Sequence, residues 1–150
     1  MPSIERVLAE EADTARLGRT VAHALRRGEA ICLYGPLGAG KSTLARALVR
    51  ALTTPTEDVP SPTFTLVQFY DGPDFPVAHF DLYRLASPDE AYEIGLDEAL
   101  EDGAVVIEWP QRLDGALPAD RLDIEITPEG DGRRARLTRH GAWRGRELEF

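Results

Sequence analysis

Gly35-Pro36-Leu37-Gly38-Ala39-Gly40-Lys41-Ser42 reads G-x-x-x-x-G-K-S, the spacing of a phosphate-binding loop. Backbone N–H groups can close around phosphate oxygens only where side chains stay clear, which is the use of Gly35, Gly38 and Gly40. Lys41 supplies a compact ammonium that reaches between β- and γ-phosphates, where the planar fork of arginine fits poorly. Sixteen of the seventeen basic residues are arginine, so the one lysine marks a place where arginine does not serve. Ser42 offers a hydroxyl to Mg²⁺, an ion that keeps several waters and needs few protein ligands. A chance match in a chain of this length arises on the order of once in two hundred.

Magnesium-dependent nucleotide chemistry also needs an acid at the end of a neighbouring apolar strand. Ala104-Val105-Val106-Ile107-Glu108 gives four apolar residues and then a carboxylate, so Glu108 is the preferred metal-side acid. Val77-Ala78-His79-Phe80-Asp81 is interrupted by His79, and Asp81 is placed behind the metal or beside the attacking water. In Ser61-Pro62-Thr63-Phe64-Thr65, Thr63 or Thr65 offers a hydroxyl to metal or phosphate, unless the segment is only a proline-stiffened entry to a strand. His79 and His23 read as structural or surface residues, and no His/Cys spacing suggests zinc. A guanine-reading Asn-Lys-x-Asp segment is excluded because the only lysine is already used, which tilts the base toward adenine.

The elements that must hold these residues follow from periodicity. Leu17, Val21 and Leu25 predict a helix over 14–27 closed by Gly28. Ala30 to Tyr34 predicts a buried strand feeding the loop, and Leu44, Leu48 and Leu52 a helix over 41–52. Strands are predicted over 64–70, 77–82 and 104–107. Ser87-Pro88-Asp89-Glu90 predicts a capped helix start running to about Gly95, with further turns through Leu100. Alternation over 121–127 and 133–139 predicts a hairpin. The sum is an α/β chain, one P-loop NTPase domain over 1–150. Its central sheet is mixed and mostly parallel, flanked by helices, with a C-terminal antiparallel β-hairpin.

Composition narrows the function classes. The 150 residues, 43% hydrophobic and 29% charged, suit one globular domain with a real core. A net charge of −9 disfavours direct sequence-independent contact with nucleic acid. The exception is local: Arg133, Arg134, Arg136, Arg139, Arg144 and Arg146 crowd the C-terminal part, as a solvated face or a contact for phosphate or an acidic partner. No apolar run spans a bilayer and no secretory signal is expected, so a cytoplasmic protein without membrane attachment is expected. Cys32 in its apolar run is read as a buried, inert thiol.

Over residues 11 to 136 the chain resembles the TsaE (YjeE) family of small bacterial ATPases. The likeness rests on Leu33-Tyr34-Gly35 through Gly38-Ala39-Gly40-Lys41-Ser42-Thr43 and on Ser61-Pro62-Thr63-Phe64-Thr65-Leu66-Val67. It also rests on His79-Phe80-Asp81-Leu82-Tyr83-Arg84-Leu85 and Ile107-Glu108-Trp109-Pro110. Glu11 and Thr14-x-x-Leu17-Gly18 look like that family's opening helix. Departures are Pro36 in place of a common acid, Ser42 in place of the usual threonine, and Gln111 after Trp109-Pro110. The resemblance implies ATP and Mg²⁺ as cofactors and a role in tRNA threonylcarbamoyladenosine formation. TsaD- and TsaB-like proteins are the implied partners, with tRNA met only through that assembly. It implies that Gly38, Ala39, Gly40, Lys41, Ser42 and Thr43 hold the phosphates, Ser42 and Glu108 the Mg²⁺, and Glu11 the nucleoside. Asp81 would assist hydrolysis, Thr65 report on the γ-phosphate and Arg133 approach from the hairpin. A small-molecule kinase and a non-hydrolysing binding module are the alternatives; kinases of this fold usually carry an arginine-rich lid between core elements.

Overall fold

The computed structural model describes residues 3–148. Strands β1 (Ile4–Leu8), β2 (Ala30–Tyr34), β3 (Val67–Tyr70), β4 (Val77–Asp81), β5 (Ala104–Glu108), β6 (Arg121–Glu129) and β7 (Gly132–His140) form one sheet ordered β1-β7-β6-β2-β5-β4-β3. The central four, β6-β2-β5-β4, are parallel. At the margins β3, β7 and β1 pair antiparallel. The predicted mixed sheet and C-terminal hairpin are both present.

Alternation along the central strands sends successive side chains to opposite faces. On one face Ile31, Leu33, Val106, Leu122, Ile124 and Ile126 pack under helices α1 (Glu11–Ala24) and α2 (Lys41–Leu52). On the other, Cys32, Phe80, Val105 and Ile107 pack under α3 (Pro88–Glu93), α4 (Leu96–Asp102) and the 3-10 helix Pro110–Leu113. Cys32 is fully buried, and desolvation pushes its thiol pKa far up, as an inert core thiol requires.

Four local readings need correction. Helix α1 starts at Glu11, ahead of Thr14, because Glu10 and Asp13 form a reciprocal capping box, and it ends at Ala24. Gly28, at φ +87°, serves the turn into β2 and does not cap the helix. Strand β3 begins only at Val67, since Leu66 takes φ +68° and breaks the extended chain. Ser87 makes no side-chain cap; Glu90 instead accepts from the Ala86 N–H at 2.9 Å. Strand β1 has no counterpart in the sequence reading. Ile-Glu-Arg-Val-Leu lacks alternation, Val7 is exposed, and the strand exists through its backbone pairing with β7.

Candidate functional site

Strand β2 ends at Tyr34, and the chain turns through 35–40 into α2, so the helix N-terminus and the loop N–H groups face the carboxyl ends of the parallel strands. That is where open α/β sheets bind ligands. Gly35, Gly38 and Gly40 all take positive φ. At Gly35 (φ +143°) a side chain would also collide with the Ile126 carbonyl of β6. At Gly40 (φ +105°) a Cβ would fall 2.5 Å from Arg133 Nε, so this guanidinium from the start of β7 lies directly against the loop.

Glu108 stands beside Leu33 on one side and Asp81 on the other, so both acids sit at strand ends next to the loop. In-register residues of parallel strands share a face, and here it is the face α2 covers. One cleft of about 270 Å³ is lined by Gly38, Gly40, Lys41, Ser42, Thr43, Asp81, Glu108 and Arg133, together with Ser61, Thr63 and Trp109. Most of the predicted phosphate, metal and acid residues thus come together, whereas Gly35 and Ala39 do not line the cleft and Ala39 is buried in the core. Glu11 lies in an adjoining cleft between α1 and α2 that shares Thr43 with the first.

Lys41 and Asp81 each have defined partners in the cleft. Lys41 is buried, donates to the Gly35 carbonyl at 2.5 Å and lies 3.5 Å from the centre of the Trp109 ring. Burial pulls its pKa below the ordinary lysine value, with the charges of Glu108 and Asp81 opposing. Asp81 accepts from Thr63 Oγ1 at 2.9 Å and from the Tyr83 N–H at 3.1 Å. Ser61 and Thr63 hydroxyls are 2.7 Å apart. The threonine beside Asp81 is therefore Thr63. Thr65 is exposed, accepts from Gln68 Nε2 at 3.2 Å and does not line the cleft.

A sequence model described as "Threonylcarbamoyl adenosine biosynthesis protein TsaE" matches residues 8–136. The chain belongs to the TsaE family. Among similar proteins, that of Aquifex aeolicus is 40% identical over 137 residues, covering 90% of this chain and 96% of the relative. That of Rickettsia bellii is 34% identical over 134 residues, covering 89% and 93%. Both are called tRNA threonylcarbamoyladenosine biosynthesis protein TsaE. A crystal structure of Bacillus subtilis YdiB superposes with a TM-score of 0.76 at 27% identity, covering 93% of this chain and 87% of that one.

Two residues of this TsaE-family site escaped the sequence reading. Trp109 takes φ +59°, rare for a bulky residue, and the turn sets its ring over Lys41 and 4.9 Å from the Tyr83 ring. His79 is 2% exposed, and its Nε2 lies 2.7 Å from Glu108 Oε2. The available signal was its position two residues before Asp81, which places both on the same side of β4. Three of the six arginines in the C-terminal cluster are ion-paired among the described residues. Arg134 pairs with Glu129, Arg136 with Glu125 and Arg146 with Glu29, while Arg139 donates to the Arg146 carbonyl. Among the described residues no helix is long and apolar enough to cross a membrane.

Proposed function

We propose that this chain is the ATP-binding and ATP-hydrolysing component of the machinery that forms threonylcarbamoyladenosine on tRNA, acting in the cytoplasm. Its bound nucleotide would govern engagement and turnover of a TsaD–TsaB pair, with tRNA met only through that complex. The observation that carries the reading is the convergence of Lys41, Ser42, Asp81 and Glu108 on one cleft at the strand ends. Family membership and the names of the relatives support the tRNA context.

The residues fit ATP with Mg²⁺. Positive-φ glycines keep side chains clear of the loop backbone, where the Ala39 N–H donates to the Pro36 carbonyl at 3.1 Å, and the α2 N-terminus adds its partial positive charge. Among the described residues no three His, Cys, Asp or Glu side chains gather as a metal site. Ser42 and Glu108 therefore suit an ion whose shell is completed by phosphate and water, the habit of Mg²⁺. Mg²⁺ there would supply charge neutralisation between the phosphates. Lys41 binds the phosphate tail, and Arg133 lies against the loop at Gly40, within reach of the same charge. Asp81, fixed by Thr63 and the Tyr83 N–H, is placed to orient the attacking water, and Thr63 takes the sensing place expected of Thr65. Glu11 borders the nucleoside side.

The test is ATP turnover by the purified chain alone and with TsaD–TsaB, beside calorimetric titration of a non-hydrolysable ATP analogue. Slow hydrolysis alone and clear stimulation by the pair is the expected result. Equal turnover in both conditions would remove the partner-gated reading.

A further inference from the structure

Lys41 faces two carboxylates, yet among the described residues no ion pair joins it to either. That needs a cause, because a buried ammonium beside two buried acids gains strongly by closing on one of them. For Asp81 the cause is already described: its oxygens are held by Thr63 and the Tyr83 N–H. We propose that His79 does the same for Glu108: it is a positioning residue whose ring tethers Oε2 and keeps that carboxylate from closing on Lys41, so that the ammonium stays available to a nucleoside polyphosphate.

The strand geometry supports this. Glu108 is in register with Asp81, whereas His79 is in register with Val106, two residues back along β5. The Glu108 side chain meets His79 Nε2 at 2.7 Å across the two strands, so Oε2 is engaged by a residue set two positions back from its own register partner. With Oε2 engaged, Oε1 is the oxygen left for the cleft. The other ring nitrogen, Nδ1, is buried without a partner among the described residues. A histidine ring buried in the middle of a strand with one nitrogen unsatisfied is costly for packing alone. Its bond to Glu108 is what offsets that cost. Partners that orient a ligating side chain typically change affinity or activity about 10- to 100-fold when removed.

The inference rests on the ATP-binding reading, and the experiment separates the two. ATP affinity is measured calorimetrically in EDTA for wild type, His79→Leu, Glu108→Gln and the double variant, with thermal melts to establish folding. His79→Leu is expected to weaken Mg²⁺-free binding about tenfold, because the released Glu108 captures Lys41. In the Glu108→Gln background the same change should cost at most about twofold, since a neutral amide does not capture the ammonium. An equal loss in both backgrounds, or none in either, overturns the tether. Absence of ATP binding by wild type, with or without Mg²⁺, instead removes the nucleotide reading. Should the leucine variant not fold, His79→Gln, whose amide N–H reaches the Nε2 position, should bind as wild type, and His79→Asn, which reaches only Nδ1, should weaken. Equal affinity of those two variants overturns the proposal.

Discussion

The cleft at the loop and the regions outside it use the same kinds of charged residue in opposite ways. Outside the cleft, cations and anions meet directly: Arg134 with Glu129 at 2.7 Å, Arg136 with Glu125 at 3.0 Å, and Arg146 on both oxygens of Glu29 at 2.7 and 2.8 Å. Inside it, Lys41, Asp81 and Glu108 are each held by a backbone group, a hydroxyl, an indole or an imidazole. Opposite charges that meet cancel and serve the scaffold. Opposite charges kept apart by neutral partners retain their capacity for a ligand. Arg134, Arg136 and Arg146 fill the first role and the single lysine the second, while Arg133 of the same C-terminal cluster lines the cleft.

Four substitutions put this contrast to the test. Asp81→Asn keeps the shape but removes the charge, and ATP hydrolysis should fall on the order of a thousandfold while affinity changes little; parallel losses in single-turnover rate and calorimetric affinity would contradict the division. Arg146→Ala leaves Glu29 nearly buried without its guanidinium and should cost about 3 kcal/mol in urea unfolding, with ATP affinity untouched. A loss below about 1 kcal/mol would show that this pair is idle.

Lys41→Ala should lower ATP affinity about a hundredfold, the scale of a charge-assisted contact, without lowering the melting temperature. Because burial disfavours its charged form, removing the ammonium relieves a cost to the fold and does not add one. A substantially destabilised alanine variant would refute that sign. The same depressed pKa fixes a pH dependence. On the proposed reading the charged amine holds ATP, so affinity should decline as pH rises through the folded value, below the usual 10.5. Calorimetry between neutral pH and that limit should show the decline in wild type and lose it in Lys41→Ala. The smallest effect is expected from Arg136→Ala, an exposed pair worth under about 1 kcal/mol and screened by salt.

Much of this site is written in local sequence. The loop announces itself through glycine spacing, and Asp81 and Glu108 through the apolar runs they terminate, because strand ends in a parallel sheet converge on the loop whatever the details. What was not legible depends on contacts far apart in the chain or on single dihedral angles. His79 meets Glu108 across two strands, a pairing that no window of sequence contains. Leu66 at φ +68° decides that Thr63 and not Thr65 reaches Asp81. β1 depends on the hydrogen-bonding edge that β7 presents to it, and helix α1 begins early because glutamate and aspartate, not serine or threonine, supply its cap.

Lys41 is also the chain's single ε-amine, and its lowered pKa makes it a better nucleophile near neutral pH than an ordinary lysine. An acylating reagent thus has one side-chain target, seated under the indole of Trp109. The rate of labelling there, read by mass spectrometry, reports how accessible the amine is from the cleft, and a protecting ligand would stop it.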